Sequence, residues 1–246
     1  MLPRLAPLAG VALILLAACS REAEPPARGA ASPTPAAGVA ATISGKVVFS
    51  GEPPAATVLR MSGDAACGST APAVDVSVEN GRVANAFVYV RDGLEKVVFE
   101  RPSTPVEIDQ KGCMYLPHVA GVQTGQQIVF LNSDPTLHNV HTMPKKSRAV
   151  NFGLGVKGAK RAIHIDHPEV MVTVQCDVHP WMRAYLGVLD HPHFAVTGAD
   201  GAFRFPNLPP GDYVVEAWHE RFGRRTANVK VGEGETAEVE LTFGAG

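Results

Sequence analysis

The chain has 246 residues, 46% of them hydrophobic and 19% charged, a balance that excludes a wholly disordered protein and gives material for one or two domains with their own cores. The formal net charge is −2 and no basic run dominates, which leaves no footing for a nucleic-acid partner. Four cysteines and nine histidines remain, and their placing carries the functional reading.

The opening stretch MLPRLAPLAGVALILLAAC has one charge, Arg4, and then an apolar run from Leu5 to Ala18. The run is too short and too weakly flanked for a spanning helix and reads as an export signal over residues 1–18. It ends in LAAC, which resembles the bacterial lipobox. The resemblance implies cleavage before Cys19, a diacylglycerol on its thiol, and a membrane anchor made of acyl chains, two or more of which hold stably. Ser20 rather than Asp after the cysteine favours the outer membrane, with the protein facing the periplasm. A plain signal peptide cut nearby is the competing interpretation. Residues 19–42 continue as an Ala- and Pro-rich segment that cannot bury enough apolar surface to order itself, and they read as a tether.

From there the pattern is short strands punctuated by turn residues, with no convincing long helical period. ISGKVVF opens the fold. VDVSVENGRVANAFVYV is two alternating runs about Asn80-Gly81, a strong hairpin signal. GVQTGQQIVFLNSD is a strand, a glycine turn and a strand, and residues 145–165 read as a long loop. In VMVTVQC, alternation puts Val170, Val172, Val174 and Cys176 on one face, so the strand delivers a thiol inward at its end. FAVTGADGAFRFPNLPPGDYVVEAWHE predicts a three-strand meander, and TANVKVGEGETAEVELTF a closing hairpin. The fold class is all-β, most simply two sandwiches.

Cysteine arithmetic follows. With Cys19 lipidated, three thiols remain in an oxidising compartment. Cys176 is followed by His179 and Met182 within CDVHPWM, three soft or borderline ligands in seven residues. That leaves Cys67 and Cys113 as a candidate disulfide, whose long loop contributes about 3–4 kcal/mol. The alternative puts these two in a second metal site with His118. A Cys at the end of a buried strand is most often a small hydrophobe, and a Met after it most often core. It is their joint occurrence with histidines that points to metal. Two imidazoles, a thiolate and an axial thioether are the donor set of blue copper, and Met is not a usual zinc ligand. The second imidazole is His138, in DPTLHNVHTM.

Residues 106–143, with TGQQIVFLNSD and the tripeptide HNV, followed by VMVTVQCDVHPWMRAYLGVL at 170–189, resemble the cupredoxins, within them plastocyanin and amicyanin. The resemblance implies one type 1 copper held by His138, Cys176, His179 and Met182, and a backbone hydrogen bond from Asn139 to the sulfur of Cys176. It further implies that His179 lies near the surface and passes electrons, with Pro180 and Trp181 forming the apolar patch about it. Of the other histidines, His141 reads as structural or outer-shell, His191 and His193 as polar residues at a domain junction with a surface metal as the alternative, and His118, His164, His167 and His219 as solvated or satisfied.

The T-x-x-D-G-x-F-x-F-x-x-L-P-P-G-x-Y-x-V pattern beginning at Thr197 resembles the carboxypeptidase regulatory-like, or Cna-B-like, β-sandwich. Fifty residues are few for that sandwich, and its missing first strands resemble SGKVVFSGEPP and ANAFVYVRDG. The expectation is therefore one module from residues 43–98 and 194–246, with a Greek-key cupredoxin inserted at 99–193. A single extended cupredoxin with added strands is the competitor. In function, the chain is expected to be no enzyme. It is expected to be a membrane-anchored one-electron carrier whose partner is a c-type cytochrome or a periplasmic oxidoreductase. A copper-delivery lipoprotein without an electron-transfer role is the alternative.

Overall fold

Runs of alternating apolar and polar residues become strands where one face has a core to meet. The computed structural model describes residues 39–55 and 57–244, in which twenty strands follow one another with a 3-10 turn, Ala65–Cys67, among them. The export signal, Cys19 and the tether as far as residue 38 lie outside the described residues. Among the described residues no helix is long and apolar enough to cross a membrane. In chain order the strands are β1 (Ala41–Ser50), β2 (Val58–Arg60), β3 (Thr70–Pro72), β4 (Val78–Glu79), β5 (Arg82–Val83), β6 (Phe87–Asp92) and β7 (Val106–Gln110). There follow β8 (Tyr115–Leu116), β9 (Val119–Gln123), β10 (Ile128–Asn132), β11 (His138–Met143), β12 (Asn151–Leu154), β13 (Lys160–Ile163), β14 (Glu169–Gln175) and β15 (Arg183–Leu189). The last five are β16 (Phe194–Val196), β17 (Ala202–Leu208), β18 (Gly211–His219), β19 (Gly223–Val231) and β20 (Thr236–Gly244).

Two hydrophobic cores result. The first is built from the sheet β13-β10-β7-β8 and the sheet β12-β11-β14-β15-β9, with Ile108, Tyr115, Phe130, Val140, Val172, Val174 and Leu186 inside. The second is built from β17-β1-β5-β4, with β20 added to β1, and from β16-β6-β18-β19. Its centre is Ile43, Val88, Phe205, Val215, Leu241 and Phe243. A smaller cluster of Phe87, Tyr89, Val119 and Leu189 lies where the two meet. There Gly121 and Gly187 are register partners on β9 and β15. A Cβ on Gly187 would lie 2.2 Å from the Phe87 ring, and one on Gly121 2.3 Å from the Phe194 ring. The paired glycines thus form a notch that admits two aromatic rings, which stack with centroids 5.7 Å apart.

The Asn80-Gly81 turn is as predicted, with φ of 50° and 70°. The run after it, however, breaks at Asn85, at φ 59°, where the chain leaves one sheet for the other: β5 pairs with β1, whereas β6 pairs with β16 and β18. The expected three-strand meander is likewise a set of crossings, since β16 joins β6, β17 joins β1 and β18 joins β6 and β19. The expected closing hairpin is not a ladder: β19 pairs with β18, and β20 runs parallel to β1. Alternation specifies which face is buried, not which strand lies alongside, and all these runs satisfy it in opposed sheets. The long loop expected at 145–165 holds β12 and β13, each pairing at the outer edge of its sheet. Charged Lys160 and Arg161 on an edge strand mask the apolar signal. Finally, Met61 and Cys67, expected within the module at 43–98, pack in the first core. The segment β2–β3 thus reaches from one sandwich to the other.

Candidate metal centre

Two neighbouring strands aim the site. On β14, Val172, Val174 and then Cys176 face inward, while Val170 is only half-buried because the register against β15 shifts between Glu169 and Val172. On β11, His138, Val140 and Thr142 are buried and Asn139 and His141 half-buried. The two strands are antiparallel, with His141 opposite Gln175, so the start of β11 lies beside the end of β14. Tyr115 braces this corner, its hydroxyl donating to the carbonyls of Asn139 and Gln175. Beyond β14 the chain folds back on itself: Met182 N–H donates to His179 O at 2.9 Å and Cys176 N–H to Met182 O at 3.2 Å. Pro180 within that loop has no N–H to satisfy.

The result brings three of the expected side chains together. His138 Nδ1 and His179 Nδ1 are 3.0 Å apart, and Cys176 Sγ lies 3.8 Å from His179 Nδ1. Met182 is fully buried in the same core. The sulfur accepts N–H bonds from Asn139 and His179, each at 3.4 Å, the first being the one the family resemblance implies. Burial pushes the Cys176 thiol up, but its contact with His138 and these backbone N–H groups outweigh burial and hold it below the usual thiol range, which favours the thiolate. Burial likewise pulls His138 down, and Cys176 with Asp134 outweighs it, so that imidazole sits above its ordinary value. His179 goes the other way, lowered by burial and by His138 against the pull of Asp64.

Each imidazole has a carboxylate on its far nitrogen. Asp134 Oδ2 is 2.9 Å from His138 Nε2 and also accepts from the backbone N–H of Cys113, while Oδ1 accepts from that of Gly112, both at 2.8 Å. Burial would raise the Asp134 carboxyl, and those two N–H groups, with His138, bring it below the ordinary range. Asp64 Oδ2 stands 3.3 Å from His179 Nε2 and accepts from Thr136 Oγ1 at 2.5 Å. In the neutral tautomers protonated on those outer nitrogens, both Nδ1 atoms would face the shared space as ligands. That is how outer carboxylates fix the tautomer of a ligating histidine. Neither aspartate stands out in the sequence. Asp134 carries a signal in its place four residues before His138; Asp64 lies far away along the chain, with only Cys67 nearby as a hint.

Cys67 and Cys113 are joined as a disulfide, and Cys176 is free. His118 does not approach them: its Nε2 contacts Glu220 and its Nδ1 the carbonyl of Arg183 at 3.0 Å. One expectation is overturned. His179 is not near the surface but 2% exposed, because Asp64 and Cys67 Sγ, the latter 3.6 Å from its Nε2, cover the edge expected to face solvent. Pro180 is exposed and Trp181 half-buried, its Nε1 donating to Cys113 O at 3.1 Å and its ring 5.1 Å from that of His179.

Residues 180–244 match the model of the carboxypeptidase regulatory-like domain, a stretch that takes in β15 to β20. No curated protein matches the chain. Solved structures similar to it include a Cu-containing nitrite reductase (NirK) from Thermus scotoductus SA-01, at 21% identity over 36% of this chain and 23% of that one, with a TM-score of 0.33. They include a purple cupredoxin from Nitrosopumilus maritimus, at 17% identity over 34% of this chain and 98% of that one, TM-score 0.29. A mutant of amicyanin in its reduced state is 20% identical over 36% of this chain and 86% of that one, TM-score 0.32. The chain spans less than a quarter of the nitrite reductase.

Proposed function

We propose that this chain is a type 1 copper protein that carries single electrons, without catalysing a reaction of its own, in a bacterial cell envelope. The observation that carries the reading is the meeting of His138 Nδ1, Cys176 Sγ and His179 Nδ1 in one buried space, from strands and a loop far apart in sequence. A thiolate and two imidazoles, with the thioether of Met182 buried in the same core, fit copper better than zinc. Copper held by His138, Cys176, His179 and Met182 supplies reversible one-electron oxidation. The chain supplies everything else. Asn139 and His179 N–H groups hold the sulfur in place, Asp134 and Asp64 orient the rings, and the surrounding core excludes water. A site held this firmly reorganises little when its charge changes, which is what fast electron transfer requires.

Lipidation of Cys19 anchors the protein, favouring the outer membrane, and the partner is a c-type cytochrome or a periplasmic oxidoreductase, met through a small transient interface. The delivery alternative asks for ligands that can be handed over. His138 and Met182 are 0% exposed, His179 2% and Cys176 3%, which favours retention of the metal.

The test is the visible and paramagnetic-resonance spectrum of the Cu(II)-loaded protein. An intense thiolate-to-copper band in the wild type, lost in Cys176→Ser, is the expected result. A wild type that binds copper and stays colourless sinks the type 1 assignment. Release from the membrane fraction by Cys19→Ala tests the anchor separately.

A further inference from the structure

We infer that electrons enter and leave this site through the indole of Trp181, an inference that rests on the copper reading above. The His179 ring cannot itself meet a partner. Its Nδ1 faces His138, and its Nε2 faces Asp64 and the Cys67 sulfur. That cover is fastened at two points, by the Cys67–Cys113 disulfide and by the Thr136–Asp64 hydrogen bond. Among the described residues, the one aromatic ring packed on His179 from outside the donor set is Trp181, with planes inclined at 42°. Its hydrogen bond to Cys113 O fixes the orientation of the indole. Trp181 and Pro180 then line a surface cleft of about 230 Å³ whose other walls include Leu59, Met114, His118 and Glu220. A single π-system therefore spans the distance between a buried imidazole and an open cleft.

The competing exit is through Leu137 and Val178, each 45% exposed and next in sequence to His138 and His179. Neither is aromatic. In each encounter the site loses one electron and the acceptor gains one, with no bond formed or broken and no proton moved. Trp181 is a bridge and is not itself oxidised.

The test is stopped-flow oxidation of the reduced copper protein by two outer-sphere one-electron acceptors of opposite charge, ferricyanide and tris(phenanthroline)cobalt(III). Trp181→Ala is expected to slow both by about tenfold or more, equivalent to about 1.4 kcal/mol of barrier, with the thiolate band and the reduction potential unchanged. Trp181→Phe keeps a ring against His179 and is expected to stay within about twofold of the wild type. Trp181→Leu fills the space without a ring and should behave as the alanine variant does, which covers the case where alanine disturbs the loop. Leu137→Ala should leave the rates alone. Wild-type rates in both the alanine and leucine variants with an intact band, or a larger loss in Leu137→Ala, overturn the route while leaving the copper reading in place. Absence of the band in the wild type overturns both. A metal-free check uses the Trp218→Phe background, in which Trp181 emission must be open to quenching by acrylamide; a fully shielded indole also overturns the route.

Discussion

In the first core Asn132, Asp134, His138 and His179 form one buried polar group, while Gln123, Gln126 and Glu169 are bonded apart from it. Asp134 meets His138 and accepts from two backbone N–H groups, His179 meets Asp64, and Asn132 accepts from Asp134 N–H while donating to the Thr136 and Leu154 carbonyls. In the second core the buried polar side chains are scattered. His193 and His219 are buried with Nε2 atoms that have no partner among the described residues, while Glu216 is buried against Tyr89 and Arg224 on the side of the joint. Burying a polar group is costly unless it is bonded, so a network around one point signals a site, and isolated buried imidazoles signal packing. His219 shows the latter use, stacked on Phe222 with centroids 4.4 Å apart.

The largest expected difference between the two cores comes from the disulfide. Cys67→Ser with Cys113→Ser opens a 46-residue separation and should cost the first core about 3–4 kcal/mol. In a denaturant titration, Trp181 emission should then change at lower denaturant than that of Trp218, which lies on β18. A shared midpoint would mean that the cores unfold as one.

Acid should act in the opposite place. Burial pushes His193 and His219 down to about 4; His191 adds to the effect at the first, while at the second Glu220 and Asp75 oppose it and His118 adds to it. The folded values lie below the unfolded value of about 6.5, so the folded state binds fewer protons between them. Stability from these groups is full above about pH 6.5 and falls as the pH drops towards 4, by about 3 kcal/mol for each histidine. His219→Phe should flatten the pH dependence of chemical unfolding over that range, and an unchanged slope would remove His219 as its source.

Gly187→Ala tests the joint between the cores. Its Cβ meets the Phe87 ring, and overpacking there should cost about 1–3 kcal/mol in thermal unfolding while leaving the donor set intact. The smallest effect is confined to the site. Asp134→Asn should lower copper affinity by about 10–100-fold in a chelator competition, without moving the global midpoint comparably. An affinity equal to the wild type would show that the carboxylate does not orient His138.

Much of this was legible because it is local. The tight turn at Asn80-Gly81 needs positive φ at both residues, and alternation alone pointed Cys176 inward. Cysteine count singled out Cys67 and Cys113. The cover over His179 was not legible, since Asp64 reaches the site only because β2, β3 and the disulfide carry it across from the other sandwich. Nor was the partner of any crossing strand legible, as the exchanges at Asn85 and between β19 and β20 show.

The sequence by itself determined the all-β class, the inward thiol and the donor residues within one loop, because strand period and turn chemistry act over a few residues. Tertiary structure alone decided which sheets the strands join, that His138 meets Cys176, and that the imidazole of His179 is shut away from water. Those outcomes depend on surfaces fitting across distances that no local preference spans, with the glycine notch at residues 121 and 187 accepting Phe87 and Phe194 as the plainest case.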